Sequence, residues 1–461
     1  MEKKIASNKV LWIFAIGQFG WSTLSGIITN CLVFFFQPSQ AELKLGQVEF
    51  IPQGTILGLT AIGLITAVGR VFDAVTDPFI AGKTDSLKHK LGRRIPFMRF
   101  AAIPFGAVTV LLFISPFKAG SMGNVVVLFI FAMLFYLCMT CYCTPYNALI
   151  PELGRTQNAR INLSTYISVT YFFGTAVAYL VPNIANAFMS KLGYANSYRV
   201  TIAILAAVAV IAMLVPAFLI NENEYADTTP SKSDTLSSLA ATFRNKEFRT
   251  FVFSDILYWV GLTLFQTGLM FYVTVLLGLS SNMTFPLFAT MTVVSLICYP
   301  LVNIFSKKVG KKKLTAFAFL FFSVTFLVTS GAGFLPIPSI VYGVIIAVLA
   351  AVPMAILGIL PQAIVADISE ADKFKTGESR QGMFYAARTF AFKLGQSIAM
   401  LLFTSIALIG KEIPEGNAGY GLGYRLTAIV AAVLCLLGGL VFMRYNEKKI
   451  LSTIEEGQKN A

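Results

Sequence analysis

Arg70, Asp73 and Asp77 stand within eight residues of one another in a stretch that is otherwise apolar. At i, i+3 and i+7 they share one face of a helix. An ionised side chain near the centre of a bilayer costs about 2.5 to 3.5 kcal/mol even on the lenient translocon scale, so a helix carrying three of them must turn that face to a polar cavity. At about 1.5 Å per residue, Asp73 lies about 15 Å from Lys83 at the expected cytoplasmic end, and Asp77 about 9 Å. Two carboxylates at that depth repel each other and are poorly hydrated, and a bound cation relieves both penalties. The pair therefore suits a proton or a hard monovalent cation, with hydroxyl and carbonyl oxygens completing the shell of a metal ion. The alternative is an ion-pair network that only locks helices together, at a desolvation cost that a packed apolar interface avoids.

The elements that must hold these residues follow from composition. The 461 residues are 56% hydrophobic and 13% charged, with 41 Phe, and the mean hydropathy is +0.73. A spanning helix needs about 20 mostly apolar residues. Twelve such segments are expected, at 9–36, 54–82, 96–117, 124–150, 162–190, 199–221, 249–278, 284–305, 313–334, 338–366, 382–410 and 420–444. The fold class is an all-α membrane protein of two six-helix bundles. The first segment is too long for a signal peptide and is expected to remain as a helix. With the N-terminus inside, about 27 basic residues fall in cytoplasmic segments and about six outside, which places both termini in the cytoplasm. The net charge of +14 is spread over short loops, so topology and anionic lipid headgroups account for it better than nucleic acid does. Cys31, Cys138, Cys141, Cys143, Cys298 and Cys435 all lie in apolar spans and read as small core residues.

The polar interruption from Asn221 to Arg249 divides the chain. The expected domains are a first bundle at 1–221, a cytoplasmic linker at 222–248, a second bundle at 249–446 and a tail at 447–461. Two echoes point to duplication: Lys90-Leu-Gly-Arg-Arg94 with Lys308-Val-Gly-Lys-Lys312, and Ala148-Leu-Ile-Pro-Glu152 with Ala363-Ile-Val-Ala-Asp367. Parallel repeats of this kind suggest a two-bundle transporter with a midplane site.

The run from Gly82 through Asp85 to Gly92-Arg93-Arg94 resembles the loop signature of the major facilitator superfamily. More narrowly, Arg70-Val-Phe-Asp73-Ala-Val-Thr-Asp77-Pro78, Pro145-Tyr-Asn-Ala-Leu-Ile-Pro151-Glu152, and Ala366-Asp367 with Lys373-Phe-Lys-Thr-Gly377 resemble the glycoside-pentoside-hexuronide:cation symporters. The resemblance implies cation ligands at Asp73, Asp77, Thr76 and Thr140. Thr76 replaces an Asn found in some members, which leaves sodium and proton both open. It also implies solute contacts at the positions of Ser22, Cys143, Asn147 and Lys393, and Arg70, Trp259 and Gln266 are expected to join them as polar and aromatic groups in apolar helices. Asp85, Arg93 and Arg94 would gate or brace the cytoplasmic side, and Arg388 would gate.

Melibiose permease-like members carry acidic sugar ligands where this chain has Ser22 and Cys143, and an aromatic residue where it has Asn147. Without the carboxylates the charge-assisted bonds to galactoside hydroxyls are lost, so melibiose is not the expected solute. Lys393 sits about ten residues into its segment, roughly 15 Å deep, and should face the cavity, with a structural ion pair as the alternative. Asp255, Tyr258, Trp259 and Gln266 add polar and aromatic groups at near-helical spacing. His89 lies in a basic loop and is not expected to relay protons, while Glu152 and Asp367 should form interhelical pairs.

The expected activity is inward symport of a sugar-like solute with sodium or a proton, by a monomer in the cell membrane among lipids, with no cofactor. A lipid or other non-sugar carrier of the same fold is the alternative. A membrane enzyme is remote, because no nucleotide loop, metal cluster or nucleophile–base spacing is present.

Overall fold

Apolar runs in hydrocarbon have no water to satisfy their backbone, so they close their hydrogen bonds internally as helix. The computed structural model describes residues 4–56, 58–226, 242–377, 381–417 and 419–459. Two compact units divide the chain, Met1–Ser233 and Asp234–Ala461.

The first unit contains α1 (Asn8–Phe36), α2 (Gln40–Lys44), α3 (Ala61–Ser86), α4 (Ile95–Leu111), α5 (Met122–Leu153), α6 (Gln157–Tyr179), α7 (Val181–Leu219) and α8 (Glu222–Tyr225). Helix α1 packs on α6 and α7, α3 on α5, and α4 on α5 and α7. The second unit contains α9 (Lys246–Phe271), which runs into a π-helical turn at Tyr272–Leu276, then α10 (Thr284–Val309), α11 (Lys311–Ser330), α12 (Ser339–Thr376), α13 (Gln381–Ile406), α14 (Leu422–Phe442) and α15 (Glu447–Lys459). Here α9 packs on α13 and α14, α11 on α12 and α14, α10 on α12, and α15 on α12. Among the described residues nine helical stretches are long and apolar enough to cross a membrane. Helix α3 falls outside that set through its charges, and α4 through its 17-residue length.

Several boundaries differ from the sequence expectation. Thr55–Ile56 and Leu59–Thr60, expected in the second span, pair as short antiparallel strands, with Thr55 opposite Thr60 and Ile56 opposite Leu59. Thr60 then caps α3 by accepting the Gly63 amide at 3.1 Å. Within α7, Gly193 has φ 72° and ψ 173°, which breaks the run into two helices. Glycine tolerates that conformation because it has no Cβ. Helix α12 continues ten residues beyond the apolar stretch, as far as Gly377, whose φ of 73° ends it with a left-handed cap.

The expected linker and tail are partly built into the two units. Residues 227–241 of that linker lie outside the described set. Glu222, however, is fully buried and accepts the backbone amides of Arg93 (3.0 Å), Arg94 (2.8 Å) and Ile95 (2.9 Å) at the start of α4. Glu447 does the same for α11, accepting the amides of Lys311 (2.8 Å) and Lys312 (3.1 Å). A carboxylate at a helix N-terminus satisfies orphan donors and opposes the macrodipole.

Arginines serve the other ends of the same two helices. Arg199 Nε donates to the Phe113 carbonyl at 2.8 Å. Arg425 Nη1 donates to the carbonyls of Ser330 (2.6 Å) and Ala332 (2.7 Å). At the chain start Lys4 Nζ donates to Glu224 at 2.8 Å, and that bond holds the Glu224 carboxyl below the usual carboxylate range.

Candidate functional site

Helices α3 and α5 lie close because position 69 is glycine; a Cβ there would come within 2.2 Å of the Tyr136 ring. The approach brings two hydroxyls of α5 onto the two carboxylates of α3. Asp73 is fully buried, and Thr140 Oγ1 donates to its Oδ1 at 2.7 Å. Thr76 Oγ1 lies 3.3 Å from Thr140 Oγ1. Arg70 Nη1 stands 4.0 Å from Asp73 Oδ2, and its guanidinium is 5.3 Å from the Tyr136 ring centroid. One turn further on, Thr144 Oγ1 donates to Asp77 Oδ1 at 3.0 Å, and Asp77 is only half-buried.

Arg70, Asp73, Thr76 and Thr140 therefore gather into one cluster, with Asp77 beside it on a second rung. Thr144 belongs to that rung and was not among the residues picked out by sequence. Its signal was the i, i+4 spacing of Thr140 and Thr144, which repeats the spacing of Asp73 and Asp77 on a neighbouring helix.

The solute residues expected in the first unit occupy different environments. Ser22 is 2% exposed, its hydroxyl donates to the Phe19 carbonyl at 3.1 Å, and a Cβ on Gly174 would come within 2.0 Å of its Oγ. It sits in the α1–α6 seam, where helix packing uses the small side chain. Cys143 is half-buried and Asn147 is exposed on α5. None of the six cysteines is in a disulfide.

In the second unit Arg388 makes a two-pronged pair with Asp255: Nε to Oδ2 at 2.8 Å and Nη2 to Oδ1 at 3.1 Å. Both residues are buried. The pair joins α13 to α9 within this unit, and it is the contact that the structure gives Arg388, the residue expected to gate. Lys393, on the same helix, is 9% exposed. Its neighbour Phe392 stacks on Trp259 with ring centroids 4.7 Å apart, and Tyr258 lies 5.6 Å from Trp259. Gln266 is half-buried two turns along α9. Trp259 Nε1 and Gln396 Oε1 are buried and have no hydrogen-bond partner among the described residues.

The residues expected to gate or brace the cytoplasmic side form ion pairs within the first unit, and their echo does so within the second. Arg94 Nη1 donates to Glu152 Oε1 at 2.7 Å. Arg93 is 3.9 Å from the same oxygen, and each arginine stands 4.0 Å from Asp85 Oδ1. Lys311 Nζ donates to Asp367 Oδ2 at 2.5 Å. The two sequence echoes thus meet in space, with the basic member paired to the acidic member in each unit. His89 is exposed, and its Nδ1 accepts the Leu91 amide at 3.1 Å in the loop.

Buried paired charge inside apolar helices, on an all-helical frame of two units, defines a multi-pass membrane carrier. The family model described as MFS/sugar transport protein matches residues 13–448, and the chain belongs to that family. It is a transporter of the cell membrane and not an enzyme. It is 23% identical to the isoprimeverose transporter of Lactiplantibacillus pentosus, over 86% of this chain and 79% of that protein. Two further likenesses are local. An uncharacterised symporter of Synechocystis, sll1374, is 32% identical over 158 residues, 33% of this chain and 26% of that protein. Sodium-dependent lysophosphatidylcholine symporter 1 of Xenopus tropicalis is 30% identical over 153 residues, 32% of this chain and 27% of that protein. Among solved structures, the xylose transporter XylE from E. coli has the same fold, with a TM-score of 0.65 at 13% identity over 97% of this chain and 98% of that one.

Proposed function

We infer that this chain is a cation-coupled symporter of a sugar-like solute, working by alternating access. The observation that carries the reading is the pair of hydroxyl–carboxylate rungs, Thr140–Asp73 and Thr144–Asp77, set among apolar helices. Carboxylate and hydroxyl oxygens are hard ligands suited to sodium or a proton. The cation neutralises the acidic pair and raises affinity for solute, and only the empty or doubly occupied carrier changes the side to which it opens. Such coupling needs a differential binding free energy of about 1 to 3 kcal/mol between the ligands.

The stacked Trp259–Phe392 pair and the unpartnered Trp259 Nε1 and Gln396 Oε1 supply the flat faces and hydrogen-bonding groups a sugar ring takes. Isoprimeverose transport by a relative supports the glycoside class. Twelve crossings with both termini cytoplasmic complete the reading. They comprise the nine apolar stretches, one of them divided at Gly193, together with α3 and α4. The first bundle is 1–221 and the second 249–446, and the carrier is a monomer.

A lysolipid carrier is the second reading, favoured by the local likeness to the Xenopus lysophosphatidylcholine symporter. Uptake into proteoliposomes holding the purified protein separates the two. Glycosides, pentosides, hexuronides and lysophosphatidylcholine are screened under an imposed sodium gradient, a proton gradient, or none. Gradient-dependent accumulation of a sugar is the expected result. Accumulation of the lysolipid alone overturns the sugar assignment, and uptake indifferent to both gradients overturns symport.

A further inference from the structure

Resting on the symport reading, we propose that Thr144 is a ligand of a coupling metal ion and sets the carrier's preference for a metal ion over a proton. Two independent features of the structure converge on this residue. The first is its bond to Asp77 Oδ1 at 3.0 Å, one turn from the Thr140–Asp73 bond. The second is the proline that follows it. Pro145 lies inside α5 and has no N–H, so the carbonyl four residues earlier, that of Cys141, receives no amide from it.

A threonine hydroxyl in a helix can donate to the carbonyl three or four residues before it. For Thr144 the i−3 carbonyl is the one that Pro145 leaves open. Thr144 therefore has two acceptors for one proton. In the structure the hydroxyl donates to Asp77. With a metal ion between the rungs, the O–H turns to the Cys141 carbonyl and an oxygen lone pair faces the ion. The switch is a rotation about one side-chain bond and leaves the helix where it is.

Helix α3 repeats the device. Asp77 is followed by Pro78 inside the helix, which leaves the Ala74 carbonyl without its usual amide. Each helix thus offers a side-chain oxygen and a backbone carbonyl within one turn, which is the donor set of a hard cation. A protonated Asp77 needs one acceptor for its O–H, which Thr144 or a backbone carbonyl serves equally, whereas a metal ion needs several oxygens at once. A metal ion gains a ligand. Asp77 is half-buried, against the fully buried Asp73.

The test uses the metal alone and needs no solute. Purified full-length protein is titrated with sodium, lithium or choline chloride at constant ionic strength while its melting temperature is followed, since a ligand of the folded state raises it by mass action. The wild type should show a saturable sodium response that choline does not give. Thr144→Val keeps the shape and removes the oxygen, and should raise the half-saturating sodium concentration about ten- to a hundredfold, the range for losing one hydrogen-bonding group to a charge. Thr144→Ser keeps the oxygen and should stay within about threefold of the wild type. The melting temperatures of all three without sodium report folding separately.

A Thr144→Val protein with wild-type sodium dependence overturns the proposal. So does a wild type that responds to neither metal ion. Gradient-driven uptake in the same preparations shows whether symport itself stands, so failure of this inference and failure of the symport reading give different results.

Discussion

Asp73 and Asp77 differ in surroundings although one turn separates them. Asp73 is fully buried and takes a hydroxyl from Thr140, with Arg70 4.0 Å away, whereas Asp77 is half-buried and takes its hydroxyl from Thr144. Replacing either by Asn keeps the size and removes the charge on which cation binding depends. Both Asp73→Asn and Asp77→Asn should abolish uphill accumulation in proteoliposomes while leaving exchange down a gradient measurable. Normal accumulation by both variants would place coupling elsewhere. The buried Arg388–Asp255 pair calls for a different test, because it joins two helices of one unit. Removing one partner of a buried pair typically costs about 3 to 5 kcal/mol, whereas replacing both by apolar groups of similar volume is often neutral. Arg388→Met alone should therefore lower the melting temperature sharply, and Arg388→Met with Asp255→Leu should recover most of the loss. A double variant as unstable as the single one would show that the charges act through other partners. The acidic pair was legible in the sequence because charge in an apolar run is costly and conspicuous. Thr144 was not, since threonine is common in such helices and only the neighbouring helix shows what it touches. The seam at Ser22 was hidden for a similar reason: the close approach of Gly174 comes from a neighbouring helix.

At the scale of elements, α4 and α11 are each held at both ends by charges outside themselves, a Glu at the N-terminus and an Arg near the C-terminus. Glu222 satisfies three amides and Glu447 two. Loss of a helix N-cap usually costs about 0.5 to 2 kcal/mol, and buried amides left without an acceptor put this case at the upper end. Glu222→Ala and Glu447→Ala should each lower the melting temperature, with Glu222→Ala the larger effect, and Gln at either position should restore part of it. Equal and negligible shifts would mean that water serves these amides as well as the carboxylates do. The echoed loops announced themselves through Gly92 and Gly310 with their basic neighbours. Their carboxylate caps did not, because each arrives from a distant part of the chain and looks like ordinary polar sequence. Hydropathy likewise located the apolar helices but not the polar extension of α12 to Thr376, whose residues Glu370, Asp372, Lys373 and Lys375 give no hydrophobic signal. The strand pair of Thr55–Ile56 and Leu59–Thr60 escaped for a related reason: Ile56 and Leu59 read as the apolar start of a span.

At the scale of the whole molecule, each unit repeats the same logic: apolar helices, a basic loop paired to an acid on the fourth long helix, and a carboxylate returning to cap a helix. Two such units are what an internal duplication produces. Orientation in the membrane then follows from charge. The basic residues of the loop between α3 and α4, and those of α15, fall on the side expected to face the cytoplasm, whereas Lys118, between α4 and α5, falls on the other. Single cysteines at these places in a cysteine-free background test the assignment, because none of the six native cysteines is in a disulfide and all must first be removed. In intact cells a membrane-impermeant maleimide should label Lys118→Cys. It should reach Lys88→Cys and Lys449→Cys only after permeabilisation. Labelling of Lys88→Cys and Lys449→Cys from outside, with Lys118→Cys protected, would invert the topology. Labelling of Lys88→Cys and Lys449→Cys from opposite sides would mean that the crossings between them are odd in number. The basic loops would then reflect a pairing role, as in Lys311 with Asp367, more than membrane orientation.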